Sequence, residues 1–585
     1  MKSRRRSLLT LAVAGVAAAA VVSASPTTAG PAPDVTAAPA GPTYVYKVHA
    51  PLGASAQNLL GRGFDVLEDR DGEYLFVLGD ATTGAGLEQA GFSAVVDEVL
   101  PAPEWAPPKA KAQVEAADIN ETYYGGYHTI NAHWSHLDLV AQNYPDLATV
   151  VDYGDSWRKT QGSGGYDLRA VCITKKNAGD CALDPNAPKP RFFVMGQLHA
   201  RELTTGDVAW RWIDHLTQGY GTNAEVTALL DTTEVWVVPI ANPDGVNIVQ
   251  QGGNSPRYQR KNANNTNGSN CSGTSSSQIG IDLNRNTDSH WGGAGTSSNP
   301  CDQTYKGPSA NSEAETRALQ ALWRSLYRDR RGTGVTDAAP DDTTGVVVSM
   351  HSYANLVLFP WGWTTAYRTG NDAPLRAMAR DLAGLAGSGW QYGQPGEVLY
   401  NAAGATDDWV YDDLGVASFV WEIGPSSGTC SGFLPAYSCQ ASTFWPKTLP
   451  MLMYAAKKAA NPYGGGNPPT GCARQTNDTD VSIPDNGAAV SSGIGISACE
   501  GSASASTQVE VHVKHTYRGD LVVDLVAPDG SAYRLKSSSS DSGDDIDTTY
   551  TVNASSEARN GTWQLRVQDV YSADTGYIDS WSLTV

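Results

Sequence analysis

The sequence has no run of about 18 uninterrupted apolar residues, so we predict no transmembrane helix. Positive charge is scarce, because 41 Lys and Arg face 61 Asp and Glu and give a formal net charge of −20. A chain this acidic lacks the basic surface that nucleic-acid binding requires, and anionic lipid does not attract it. We therefore expect neither a nucleic-acid partner nor a membrane partner.

No two of the eight cysteines stand in a C-x-x-C spacing, which disfavours a cysteine-bound metal or a redox dithiol. The cysteines fall into neighbouring pairs, and four short-loop disulfides are the economical interpretation for an exported protein. The predicted pairs are Cys172 with Cys181, Cys271 with Cys301, Cys430 with Cys439, and Cys472 with Cys499.

The first 24 residues combine a basic start with a short apolar segment that ends in small residues. This pattern is typical of a secretory signal peptide, and we predict a secreted, extracellular protein. Residues 25–42 are rich in Ala, Pro and Thr and indicate a flexible lead-in. The 585 residues leave room for several folded domains after it.

Changes of pattern divide the remaining chain. Residues 43–105 alternate strand-like and helix-like stretches and predict a small α+β unit, and residues 106–117 predict an exposed, cleavable linker. A compact unit between a signal peptide and a cleavable linker is typical of a propeptide. Residues 118–461 alternate buried strands with helices, and residues 462–470 are a Gly/Pro linker. Residues 471–585 alternate short strands with turns and predict an all-β, jelly-roll-like sandwich.

Three apolar runs of the central segment lead into residues that carry chemistry. The first is followed by His199 and Glu202, another by His351, and a third by Glu422. Continuous apolar strands are buried on both faces, which indicates an α/β fold with a mixed, largely parallel sheet flanked by helices. Because ligand sites in such sheets lie beyond the carboxyl ends of the strands, these four side chains form the candidate site.

The residue types suggest a metal and a base. Two imidazoles and one carboxylate suit a catalytic Zn²⁺, which takes three protein ligands and keeps one position open. Glu422 stands alone at the end of an apolar strand, and burying it without compensation costs several kcal/mol. We therefore interpret Glu422 as a general base that takes a proton from the attacking water.

A helix start is predicted near residue 313. Ser312, Glu313 and Glu315 form the pattern of a capping box, and Leu319, Leu322 and Leu326 follow at helical spacing.

Eight sequence blocks of the central segment carry a family resemblance over residues 123–454. The blocks are residues 198–202, 242–245, 257–261, 280–286, 305–309, 351–353, 399–404 and 419–422. In this order they resemble the zinc metallocarboxypeptidases of the funnelin type, the pancreatic and bacterial carboxypeptidases. The resemblance implies that His199, Glu202 and His351 hold one Zn²⁺ and that Glu422 activates water.

The resemblance also implies roles around the metal. Arg260 would polarise the scissile carbonyl and stabilise the oxyanion. Asp282 stands where the family's carboxylate orients the first zinc histidine. The substrate-binding residues that it implies are Asn284, Arg285 and Tyr400 for the terminal carboxylate, Arg201 and Tyr353 for the outer subsites, and Asp407 for the specificity pocket. An acidic Asp407 favours basic or dual specificity, because a carboxylate at a pocket floor pairs with a cationic side chain.

Residues 482–585 resemble the P domain of proprotein convertases, which is a stabilising β-sandwich in that family. The match rests on residues 483–486, 515–521, 528–530, 561–563 and 574–583. Asp544, Asp545 and Asp547 form an acidic run that is a candidate Ca²⁺ site, and a solvated acidic face is the other interpretation.

Together these patterns predict a monomeric, secreted zinc carboxypeptidase, made as a zymogen, that acts on peptides or proteins with a free C-terminus. The alternative on the same fold is a zinc cell-wall endopeptidase or amidase, which Arg285 and Tyr400 disfavour because they imply a terminal-carboxylate clamp. A serine hydrolase is also disfavoured, because the G-x-S-x-G pattern at residues 424–428 lies in a Gly/Ser-rich loop. A non-catalytic binding protein would lack a ligand or Glu422, and the sequence has all of them.

Overall fold

The computed structural model describes residues 42–100, 119–272, 277–463, 474–496, 499, 502–504 and 507–585. The predicted signal peptide, nearly all of the predicted lead-in, the linker at 106–117 and most of the linker at 462–470 lie outside the described residues. In the described part of the chain, no helix has the length and apolarity needed to cross a membrane.

The N-terminal part is a four-stranded antiparallel sheet with two helices. Its elements are β1 Thr43–His49, α1 Ala54–Leu60, β2 Asp65–Asp71, β3 Tyr74–Gly79, α2 Thr83–Gln89 and β4 Ala94–Leu100. The strand order is β2-β3-β1-β4, so that β2 lies at one edge.

A mixed eight-stranded sheet forms the centre of the molecule. Two short strands precede it, β5 Thr122–Tyr123 and β6 Tyr127–His128. The sheet strands are β7 Ala148–Asp155, β8 Asp167–Ile173, β9 Arg191–Met195, β10 Glu234–Val238, β11 Val346–His351, β12 Leu356–Leu358, β13 Gln391–Gly393 and β14 Ala417–Glu422. They lie in the order β13-β12-β14-β11-β9-β10-β8-β7, and the inner strands β14, β11, β9 and β10 run parallel.

The remaining central elements are helices. They are α3 Ile130–Asn143, α4 Trp157–Thr160, α5 Leu203–Gly219, α6 Ala224–Thr232, α7 Pro243–Gln250, a 3-10 turn Leu283–Arg285, α8 Ala314–Leu326, α9 Asp372–Ala386, α10 Pro395–Val398, α11 Thr406–Leu414, a π-helix Gln440–Phe444 and α12 Trp445–Lys458. Every residue of β9, β10, β11 and β14 is buried, as the continuous apolar runs predicted. The predicted α/β class is confirmed.

The C-terminal part is all-β, as predicted. Its strands are β15 Gln475–Asn477, β16 Val481–Ile483, β17 Val490–Ile496, β18 Thr507–His515, β19 Leu521–Val526, β20 Ala532–Lys536, β21 Ile546–Val552, β22 Gly561–Asp569 and β23 Gly576–Thr584. They form two antiparallel sheets, and alternate residues of the long strands fill a core that includes the fully buried Trp563 and Trp581.

The start of α8 differs from the predicted capping box. The helix begins at Ala314 with Glu313 as its N-cap, and no side chain caps it. The predicted helix is confirmed, but the predicted capping hydrogen bonds do not form. The carboxylates of Glu313 and Glu315 instead accept hydrogen bonds from Asn262 in the interior.

Three of the four predicted disulfides are confirmed: Cys172–Cys181, Cys271–Cys301 and Cys430–Cys439. The fourth predicted pair includes Cys472, which lies outside the described residues. Each observed bond joins two consecutive cysteines of the sequence, as predicted.

Candidate active site

The chain brings His199, Glu202 and His351 together at the carboxyl ends of β9 and β11. His199 lies in the turn after β9, Glu202 is the N-cap of α5, and His351 is the last residue of β11. The Nδ1 atoms of the two histidines are 3.0 Å apart. Glu202 Oε1 lies 2.8 Å from His199 Nδ1, and Oε2 lies 3.1 Å from His351 Nδ1. All three side chains are buried.

Each imidazole has a hydrogen-bond partner on Nε2, so that Nδ1 of both rings faces Glu202. Asp282 Oδ1 lies 3.1 Å from His199 Nε2, and Ser349 Oγ lies 2.8 Å from His351 Nε2. A partner on Nε2 fixes the ring orientation and leaves the Nδ1 lone pair for a cation. Ser349 is two residues before His351 on the same strand face, and sequence reasoning missed it although the period of two could have found it.

This donor set fits a zinc ion. Two inward-facing imidazole nitrogens and a carboxylate oxygen lie within 4.8 Å of one another, buried away from water. Such a cluster is electrostatically unsatisfied unless a cation is shared among the three donors. Two imidazoles and a carboxylate are ligands that Zn²⁺ takes in catalytic sites.

The turn before α7 supports this region. Asn242 Oδ1 accepts a hydrogen bond from Gly245 N, and Pro243 occupies the first turn, so the helix has a standard start. Asn242 Nδ2 donates to Leu198 O next to His199. A Cβ on Gly245 would lie 2.7 Å from Lys261 O, so only glycine fits this close approach. The block at 242–245 therefore has a structural basis.

Glu422 lies directly beside His351. The two residues are paired on the parallel strands β14 and β11, and Glu422 is 2% exposed. Its Oε2 has no hydrogen-bond partner among the described residues. Burial, followed by the negative charges of Glu68 and Glu202, raises the pKa of Glu422 well above its usual range. A carboxyl group in this environment can accept and hold a proton.

Arg260 is held next to the same centre. Its Nε lies 3.1 Å from Asp282 Oδ2, and its backbone carbonyl accepts a hydrogen bond from Ala200 N at 3.0 Å. Burial alone would raise the pKa of Asp282, but the charges of Arg260 and His199 outweigh it and hold that pKa well below its usual range. Asp282 is thus a shared anion between the histidine and the guanidinium.

Asn284, Arg285 and Tyr400 are also buried near this end of the sheet. Arg285 donates from Nε to Gly295 O and from Nη1 to Asn284 O, while its Nη2 donates to none of the described residues. Asn284 Oδ1 accepts from the backbone and hydroxyl of Thr406, which joins it to α11. A buried guanidinium with a free nitrogen can bind a carboxylate.

The side chains predicted for the outer subsites contact the N-terminal part. Arg201 makes two hydrogen bonds to Asp65, at 2.6 and 2.9 Å. Its guanidinium lies 4.1 Å from the ring centre of Phe433, and Tyr353 packs edge-on against the same ring. Sequence reasoning missed Phe433, which lies in a Gly/Ser-rich loop without periodicity.

Asp407 lies in the first turn of α11 and is 3% exposed. Its Oδ2 has no hydrogen-bond partner within the described ranges. Burial raises the pKa of Asp407 to about 6, against the opposing effect of backbone N–H groups and Arg285. An unpartnered buried carboxylate oxygen is suited to a cationic ligand.

The acidic run in the C-terminal part gives no support for the predicted Ca²⁺. Asp545 pairs with Lys514 at 3.1 Å, and Asp547 pairs with His512 at 2.8 Å. Across the described ranges, the one cluster of three or more His, Cys, Asp or Glu side chains suited to a metal is that of His199, Glu202 and His351.

Comparisons with known proteins agree with this geometry. Residues 134–447, more than half of the chain, match the family model described as zinc carboxypeptidase, and residues 504–585 match the proprotein convertase P-domain.

Similar curated proteins include carboxypeptidase A2 of Mus musculus, 32% identical over 319 residues, and carboxypeptidase A1 of Homo sapiens, 30% identical over 316 residues. Each alignment covers 54% of this chain and 66% of the relative, just under two thirds of its length. The crystal structure of carboxypeptidase A from Helicoverpa armigera shares the fold with a TM-score of 0.54 at 22% identity, covering 71% of this chain and 97% of that one. The chain belongs to the zinc carboxypeptidase family.

Proposed function

We propose that the protein is a secreted zinc-dependent carboxypeptidase that removes C-terminal amino acids from peptides and proteins. The observation that carries the proposal is the convergence of a three-donor metal cluster, a buried base and two buried guanidiniums at one end of the sheet. A signal-like N-terminus and three short-loop disulfides support export to an oxidising compartment.

In this proposal His199, Glu202 and His351 hold the ion. Zn²⁺ supplies a Lewis acid that lowers the pKa of water and polarises a carbonyl. Glu422 takes the proton of the attacking water as the new C–O bond forms. Arg260 stabilises the negative charge that develops on the carbonyl oxygen. When the C–N bond breaks, Glu422 returns the proton to the leaving amine.

In this proposal, recognition of the substrate's C-terminal carboxylate depends on the guanidinium of Arg285. Arg285 binds the substrate's carboxylate with Asn284, and Tyr400 covers it. This socket favours an exopeptidase over the alternative cell-wall endopeptidase or amidase, because an endopeptidase has no terminal carboxylate to bind. Asp407 provides a carboxylate for a basic side chain, which supports basic or dual specificity.

A panel of four peptides tests the function and its specificity together. The peptides end in Arg or Leu, each as a free acid and as an amide, and C-terminal ladders are followed by mass spectrometry. We expect the free acids to be trimmed and the amides to resist, because an amide cannot pair with Arg285. Asp407→Ala should lower kcat/KM for the Arg peptide by about tenfold or more and leave the Leu peptide nearly unchanged.

The panel also separates the competing interpretations. Equal trimming of amides and free acids would refute the terminal-carboxylate socket. A large preference for Leu that Asp407→Ala leaves unchanged would refute the basic or dual specificity.

We also propose that the protein is made as a zymogen with residues 43–105 as its propeptide. The edge strand β2 supports this role because its acidic residues contact the site. Glu68 Oε1 lies 2.6 Å from Arg260 Nη1, Asp65 binds Arg201, and Ser426 Oγ donates to Asp69 at 2.9 Å. The guanidiniums of Arg260 and Arg201 thus have carboxylate partners before substrate binds.

A further inference from the structure

Glu313 connects the segments that carry the two substrate-binding arginines. It is fully buried at the N-cap position of α8. Its carboxylate and its backbone N–H contact two different asparagines, Asn262 and Asn286. Asn262 lies two residues after Arg260, and Asn286 directly follows Arg285.

The carboxylate of Glu313 holds the Arg260 segment. Asn262 Nδ2 donates to Glu313 Oε2 at 2.7 Å, and Asn264 Nδ2 donates to the same oxygen at 3.0 Å. The other end of Asn262 pairs with Ile281, because Oδ1 accepts from Ile281 N at 2.9 Å. Ile281 precedes Asp282, the anion that binds Arg260. Glu313 therefore holds both segments of the Arg260–Asp282 contact through the amide of Asn262, which also donates to Glu315 Oε2 at 3.2 Å.

The backbone of Glu313 holds the Arg285 segment. Glu313 N donates to Asn286 Oδ1 at 3.1 Å. Asn286 Nδ2 in turn donates to Lys306 O at 2.9 Å and to Ser312 Oγ at 2.9 Å. Asn286 is fully buried, so rotation of its amide would leave several polar groups without partners.

The helix behind Glu313 gives this connection a rigid base. Leu319, Leu322 and Trp323 of α8 are buried in the same apolar cluster as Leu283, which immediately precedes Asn284.

We propose that Glu313 is a positioning residue that sets the placement of Arg260 relative to Arg285, and so the distance between the carbonyl and carboxylate subsites. The inference rests on the proposed carboxypeptidase function. Replacing the side chain of Glu313 or of Asn262 frees the Arg260 segment alone, because the bond to Asn286 comes from the backbone N–H of Glu313. Replacing Asn286 frees the Arg285 segment. This produces a pattern in kcat and KM that general destabilisation does not produce.

The test compares four variants of the full chain after activation by limited proteolysis, with a free-acid peptide as substrate. Glu313→Ala removes the carboxylate that accepts from Asn262 and Asn264 and keeps the backbone bond to Asn286. We expect kcat to fall about 100-fold with KM nearly unchanged, since misplacement by 1 Å costs about 100-fold in rate. Asn262→Ala should act mainly on kcat, because Arg260 binds developing charge. Asn286→Ala should act mainly on KM, because Arg285 binds the ground-state carboxylate.

Arg324→Gln is the control on the same helix, because Arg324 pairs with Asp413 at the protein surface and contacts neither arginine segment, and it should stay within about threefold of wild type. Zinc content and Tm are measured for every variant. The zinc stoichiometry should match that of the wild type, and Tm should stay well above the assay temperature. A Glu313→Ala variant that leaves kcat unchanged would overturn the inference.

Two further outcomes are decisive. If Glu313→Ala does not fold, Asn262→Ala and Asn286→Ala decide: separate effects on kcat and KM support the inference, and the same pattern in both overturns it. A wild-type chain that trims no free-acid peptide would overturn the proposed function and this inference together. An active wild type together with an unchanged kcat in Glu313→Ala would overturn the inference alone.

Discussion

Replacing Glu422 with glutamine is expected to lower kcat by about 1,000-fold while the chain keeps its zinc. The amide has nearly the same shape but cannot take a proton from water. Glu422 is buried beside His351 without being part of the three-donor metal cluster, so the ion should remain bound. The measurement is kcat on a free-acid peptide with zinc content determined on the same sample.

Glu397→Gln serves as the control for this variant. Glu397 binds Arg368 and Arg376 at the protein surface, so its replacement should change kcat by less than about twofold. A Glu422→Gln variant that keeps more than a tenth of the wild-type kcat would show that another group takes the proton.

The second large effect concerns the uncleaved chain. Asp65→Asn and Glu68→Gln should each raise its activity on a small peptide by about 100-fold or more. Each substitution removes the carboxylate of a buried ion pair, Asp65 from Arg201 or Glu68 from Arg260, and breaking a buried ion pair costs about 3–5 kcal/mol. The N-terminal part then spends more time away from the site, and substrate reaches Arg260.

Glu73→Gln is the matched control for the uncleaved chain. Glu73 follows the same strand but pairs with His49 on an exposed surface, so its loss should leave latency unchanged. An uncleaved wild-type chain that is already as active as the cleaved one would contradict the zymogen proposal. So would a double variant, Asp65→Asn with Glu68→Gln, that stays latent.

Local pattern and position along a strand were enough to predict that His351 and Glu422 lie at the same edge of the sheet. His351 and Glu422 end continuous apolar runs, and the structure pairs them on neighbouring parallel strands. The carboxyl ends of neighbouring parallel strands lie at the same edge of a sheet. The residues that follow apolar strands in the sequence therefore indicated which side chains lie close together.

Contacts between distant parts of the chain could not be predicted in this way. Glu68 and Arg260 are separated by 192 positions, and no periodicity in either segment indicates that they meet. The pattern at residues 312–315 shows the opposite limit, because it suggested a capping box that the structure does not form. The buried amide of Asn262 competes for the carboxylates of Glu313 and Glu315, and desolvated donors without partners cost more than a missing cap.

Zinc analysis of the purified chain tests the central claim most directly. We predict one Zn²⁺ per wild-type chain, lost in His199→Ala and in His351→Ala and retained in Glu422→Gln, with peptide trimming that disappears on chelation and returns when zinc is added. Trimming by a chain free of metal, or a His351→Ala variant that binds zinc as tightly as wild type, would contradict the account.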